Sequence, residues 1–97
     1  MNFEFHPQAL AEYEEAARYY ANQQVGLEQR FMDAVEHTIQ KILDAPESWL
    51  VLKEDVRRCF TPTFPYAVLY TIELNYVLII AVMHCHRKPD YWHSRLM

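Results

Sequence analysis

The sequence predicts an α+β fold of order β-α-α-β-β-β: a short N-terminal strand, a two-helix antiparallel hairpin, and a mainly antiparallel sheet on which the hairpin packs. Three observations lead there. Apolar residues recur at three- and four-residue steps through the first half of the chain. From Val56 onward they come instead in dense runs of Tyr, Val, Ile and Leu. The links between those runs are too short to hold crossover helices, so neighbouring strands must run antiparallel.

Each element follows in turn. Asn2-Phe3-Glu4-Phe5 alternates polar and apolar and reads as a strand, and His6-Pro7 then places proline in the first turn of a helix. Leu10, Tyr13, Ala17 and Tyr20 mark the apolar stripe of that helix, roughly residues 7–24, while Glu12, Glu14, Glu15 and Arg18 fall elsewhere on the wheel. After Val25-Gly26, which holds the chain's single glycine, the spacing resumes with Leu27, Phe31, Val35, Ile39 and Ile42 until Pro46 stops it. So short a turn between two helices makes a hairpin. Trp49-Leu50-Val51-Leu52 reads as an apolar patch in a loop, and Val56 to Phe60 as a strand. Residues 66–72 and 76–83 form the last two strands, joined tightly through Glu73-Leu74-Asn75.

The strand 76–83 is apolar on both faces. Strict alternation sends Tyr76, Leu78, Ile80 and Val82 one way and Val77, Ile79, Ala81 and Met83 the other. The helix hairpin can cover only one face, which leaves the second to the chain termini or to a partner.

Composition sets further bounds. A chain of 97 residues, 52% hydrophobic and 14% aromatic, suits one compact domain spanning residues 1–97. Its longest uncharged apolar stretch, Val77 to Met83, falls far short of the roughly 20 residues needed to span a bilayer, and no leader-like segment opens the chain. Two cysteines without paired spacing read as reduced thiols, so a cytoplasmic protein with no membrane contact is expected. The net charge of −4 is uneven: residues 1–50 carry three cations against nine carboxylates, residues 51–97 six against four. That is too weak a positive excess to mark a protein that binds nucleic acid by neutralising phosphates.

Chemistry concentrates after Met83, where His84, His86, Arg87, Tyr91, Trp92, His93 and Arg95 fall within twelve residues. His84 and His86, two apart, share a face if strand geometry continues, but no zinc-type spacing accompanies them, so neither metal nor cofactor is expected. The same residues suit metal-free RNA cleavage. His84, His86 or His93 would exchange protons, Arg87 or Arg58 would hold phosphate, and Tyr91 or Trp92 would stack on a base. A structural reading stands beside it: Arg87 and Arg95 as partners of the acidic helices, and Tyr91-Trp92 as an aromatic plug over the open sheet face.

Taken in order, His6-Pro7, Ala16-Ala17, Tyr19-Tyr20, Val56-Arg57-Arg58, Phe64-Pro65-Tyr66, Val68, Tyr70 and the segment from Ala81-Val82 to Arg95 resemble the RelE/ParE superfamily of toxins from bacterial type II toxin–antitoxin modules. The resemblance implies a small α+β toxin neutralised by a cognate antitoxin that wraps it. It also implies one of two targets, DNA gyrase or the ribosome with its mRNA. Arg87 matches an arginine of the mRNA-cutting branch and Tyr91 lies near its functional tyrosine. That branch commonly carries arginine after the tyrosine opening the strand at 66, where this chain has Ala67, and it is typically basic where this chain is acidic. The expected function is therefore a gyrase-like binding toxin, with a ribosome-dependent endoribonuclease as the alternative and a toxin-like fold without toxicity as a third reading. Candidate catalytic residues are Arg58, His84, His86, Arg87 and Tyr91, and candidate partner-binding residues are Tyr66, Trp92, His93 and Arg95.

Overall fold

The computed structural model describes residues 1–96. The chain runs β1 (Asn2–Phe5), α1 (Pro7–Ala21), α2 (Leu27–Asp44), β2 (Leu50–Lys53), β3 (Val56–Phe60), β4 (Tyr66–Ile72), β5 (Tyr76–His84) and a 3₁₀ turn at His93–Arg95. The fold is α+β, with both helices on one face of a five-stranded sheet ordered β1-β5-β4-β3-β2. β1 lies parallel to β5, and the other neighbours are antiparallel.

Two boundaries differ from the sequence expectation. Residues Leu50–Lys53 form a strand where a loop was expected, so the order is β-α-α-β-β-β-β. The strand escapes a period-two reading because its register slips between Val51 and Lys53 and because it is an edge with Leu50 and Val51 in solvent. The first helix stops at Ala21 instead of about residue 24, since the chain must turn through Asn22–Gly26 to start α2. Gly26 opens α2 with φ of 86°, a left-handed conformation that only glycine adopts without strain. At the start of α1, Pro7 supplies the preset φ while the His6 ring accepts a hydrogen bond from the Gln8 N–H at 3.1 Å.

The core has two halves. Toward the helices, Phe31, Val35, Ile39 and Ile42 of α2 pack with Val68, Tyr70, Val77, Ile79 and Val82. On α1 the buried positions are Ala9, Ala16 and Ala17, whereas Leu10, expected on the buried stripe, is 40% exposed. Small side chains let α1 lie close against β5. On the opposite sheet face Val56, Leu69, Ile80, Ala81 and Met83 surround Trp92, which is 1% exposed and donates its indole N–H to the Pro89 carbonyl at 2.8 Å. The C-terminal tail thus covers the second face with an aromatic plug.

Strict alternation fails within β5. Tyr70 stands opposite Ile79 and Leu69 opposite Ala81, so Ile80 is the extra residue of a β-bulge. Ile80 and Ala81 both face Trp92, and Val82 returns to the helix side instead of sharing a face with Leu78 and Ile80. Removing the Trp92 ring leaves a large cavity, so Trp92→Ala should lower unfolding free energy by about 3–5 kcal/mol in urea denaturation. Leu74→Ala, at a position 91% exposed, should change it by less than about 0.5 kcal/mol.

Candidate functional site: a cleft between the first helix and the C-terminal tail

The bulge determines what happens at the end of β5. β1 pairs with β5 only as far as Phe5 opposite Ile79, where the His6 N–H closes the ladder on the Ile79 carbonyl at 2.9 Å. Beyond it the Ile80 carbonyl and the Val82 N–H are met by side chains instead of a strand. Arg95 Nη1 donates to the Ile80 carbonyl at 2.9 Å, and Glu12 Oε1 accepts from the Val82 N–H at 3.0 Å. The two side chains also join each other, Arg95 Nη1 to Glu12 Oε1 at 3.0 Å and Nη2 to Oε2 at 2.9 Å. Tyr91 completes the cluster by donating its hydroxyl to Glu12 Oε2 at 2.6 Å. This fork-on-carboxylate pair is well shielded, with side chains 8% (Arg95) and 16% (Glu12) exposed.

Above this clasp a shallow cleft of about 260 Å³ opens between α1 and the tail, walled by Glu12, Glu15, Tyr19, Tyr66, His84, Arg87 and Tyr91. Four of the candidate catalytic residues converge there or at its rim. His84 ends β5, and the turn that follows brings the His86 N–H to His84 Nδ1 at 3.1 Å, with ring centroids 5.0 Å apart. The imidazoles are close, as expected, but the turn and not a continuing strand holds them. Because Nδ1 of His84 accepts that bond, the proton of its neutral ring sits on Nε2. The edge of His84 meets Tyr66, 5.1 Å between centroids. The Arg87 guanidinium lies 4.0 Å from the centre of the Tyr91 ring, a cation–π contact.

The fifth candidate is elsewhere. Arg58 stacks on Phe60 at 4.4 Å and lines a separate groove at the sheet edge, while its neighbour Arg57 turns the other way and donates to the Glu47 and Trp49 carbonyls. Of the residues expected to bind a partner, Trp92 is core, Arg95 is held by Glu12, and Tyr66 packs against Tyr20, Phe31 and His84. His93 alone stands well out in solvent, 3.1 Å from Glu54. Among the described residues no three His, Cys, Asp or Glu side chains group closely enough to hold a metal ion.

Titration follows from these contacts. Burial, reinforced by the bond to Glu12, raises the Tyr91 phenol well above its usual range, so it stays protonated at neutral pH and cannot act as a base there. Burial also raises the thiols of Cys59 and Cys85, the latter partly offset by Arg58, so neither is an activated thiolate.

Glu12 is the residue of the cleft that sequence reasoning passed over. Its signal was present: it falls between Ala9 and Ala16 on the stripe of small residues that faces β5, where a carboxylate requires a cationic partner.

With this geometry in view, comparison with known proteins is informative. The family model for the ParE toxin of type II toxin-antitoxin system, parDE, matches residues 3–89. The chain belongs to this family, and it is a type II toxin of the RelE/ParE superfamily. Among solved structures, a chain of the chromosomal ParDE TA system from P. aeruginosa has a similar fold, with a TM-score of 0.62 over 87% of this chain and 95% of that one at 11% identity. Comparison with curated proteins finds no match.

The raised phenols make a pH prediction. Burial lifts Tyr70 to about 12, and lifts Tyr13 and Tyr91, each also bonded to a carboxylate, further still. A group whose folded value exceeds its unfolded one stabilises the fold fully below the unfolded value, here 10.0, and that contribution is lost as pH rises above it. Alkaline titration should therefore show these phenolates forming together with loss of far-UV circular dichroism. Ionisation of Tyr13, Tyr70 and Tyr91 themselves near pH 10, followed residue by residue in a protein that remains folded, would contradict these contacts.

Proposed function

We propose that this toxin arrests growth by binding an essential protein target, gyrase-like in kind, without cleaving nucleic acid, and that a cognate antitoxin neutralises it. The observation that carries the reading is the wall of the cleft. Glu12 and Glu15 stand beside His84, Arg87 and Tyr91, where a scissile phosphate would have to approach. Glu12 and Arg95 neutralise each other, which leaves the Glu15 carboxylate to oppose the negative charge that a phosphoryl transition state must gather. No net positive site remains: Arg58 lies in another groove, and Arg87 is left as the arginine of the cleft, with Glu15 beside it.

A binding role needs no such charge balance. The turn Cys85–Asp90 stands exposed beyond β5, carrying His86, Arg87 and Lys88, and it rests on a tail pinned at Glu12 and at Trp92. A rigidly presented polar loop loses little entropy on docking. An antitoxin partner is supported by the family and by the ParDE system to which the solved relative belongs. The alternative, a ribosome-dependent mRNA endoribonuclease, draws on the convergence of His84, His86, Arg87 and Tyr91 around one cleft.

The purified chain added to gyrase and relaxed plasmid should inhibit supercoiling, and added to translating ribosomes should leave mRNA intact. Cleaved transcripts, abolished by Arg87→Ala, would replace the binding reading with the nuclease one.

A further inference from the structure

The amides that follow β5 are held by acceptors of different kinds. The Cys85 N–H donates to the Pro65 carbonyl at 2.8 Å and the Arg87 N–H to the His84 carbonyl at 2.9 Å. Between them the His86 N–H donates to Nδ1 of the His84 ring at 3.1 Å. A backbone carbonyl keeps its lone pairs at any pH, whereas an imidazole nitrogen accepts only while the ring is neutral, because the imidazolium carries a proton on both nitrogens. Among the described residues the His86 N–H has no other acceptor. The middle bond of the turn Cys85–Asp90 is therefore conditional on the charge of His84.

The surroundings of His84 strengthen that condition. β4 sets Tyr66 against the ring, α1 brings Glu12, Glu15 and Tyr19 to the same cleft, and the tail brings Arg87 and Tyr91. Glu12 is neutralised by Arg95, so the Glu15 carboxylate and the Arg87 guanidinium are the charges left there. The His86 ring stands 5.0 Å from that of His84. A proton on Nδ1 of His84 turns an acceptor into a donor that meets the His86 N–H head on. It also adds positive charge within a turn that already carries Arg87 and Lys88.

We propose that His84 is a pH-sensitive latch on the turn Cys85–Asp90: its neutral ring holds the His86 N–H and orders the turn, and protonation releases it. Histidine side chains change charge between about pH 5 and 8, so the turn is closed on the alkaline side of the His84 midpoint and open on the acid side. Release stays local, because the Cys85 N–H keeps its carbonyl on one side and the Trp92 plug holds the tail on the other. The latch operates whatever target the toxin binds.

NMR of the whole chain from about pH 5 to 8 tests the latch. Ring nitrogen shifts give the tautomer and the midpoint of His84, and the amide at position 86 gives the state of the bond. Because the His86 ring also takes up a proton, that amide is followed in His86→Ala, a change at an exposed position that keeps the backbone donor. Below the His84 midpoint the amide should move upfield and lose its heteronuclear NOE in step with the His84 ring, while the β4–β5 amides keep theirs. His84→Phe, which retains a ring against Tyr66 without the acceptor, should leave the turn mobile at every pH. A neutral His84 protonated on Nδ1 in the unaltered protein, or an amide at position 86 indifferent to the His84 midpoint, would each overturn the proposal.

Discussion

The pairing of Glu12 with Arg95 governs the C-terminal third of this protein, because it is built into the backbone of the central strand. The bulge at Ile80 leaves a carbonyl and an N–H that neither β1 nor β4 can satisfy. Arg95 and Glu12 take one each and then bind one another, so a single cluster satisfies the strand, pins the tail and anchors α1. A shielded ion pair repays its desolvation only when its remaining donors and acceptors are also bonded. Here backbone and the Tyr91 hydroxyl meet that condition. Folding the tail back to reach Glu12 is also what carries Trp92 onto the second sheet face.

That arrangement reassigns a segment dense in reactive side chains. Tyr91 and Arg95 have the composition of catalytic groups, yet one is a half-buried phenol bonded to a carboxylate and the other the counterion of that carboxylate. On the proposed binding role Tyr91 and Arg95 take no part in chemistry, and the cleft keeps His84 and Arg87 beside Glu15. The proposed binding role accords with a chain of net charge −4 that exposes Arg87 and Lys88 together on the tail turn but has no extended basic surface.

The sequence disclosed the elements whose periodicity is long and regular. α2 could be read from Leu27, Phe31, Val35, Ile39 and Ile42, and the last two strands from their dense β-branched and aromatic content. β2 escaped because it is a four-residue edge strand, three of its residues exposed and its register irregular, and so carries no pattern. The bulge escaped because Ile80 and Ala81 are both apolar, so an alternation that slips by one residue looks the same as one that does not. The convergence of His84, His86, Arg87 and Tyr91 was legible from proximity in sequence, but Glu12, some 70 residues before Val82, is joined to them only through the fold. Even so, a carboxylate between Ala9 and Ala16 on a face of small residues was the visible half of the pair.

Amide hydrogen exchange at Val82, read together with the Trp92 indole, tests the clasp most directly. If Glu12 holds the strand and, through Arg95, the tail, the Val82 amide should exchange as slowly as the amides of the β4–β5 ladder. Glu12→Ala, which removes the acceptor, should then cost Val82 and Trp92 their protection together. Rapid exchange of Val82 in the unaltered protein, or a Trp92 indole that remains protected when Glu12 is replaced, would contradict the account.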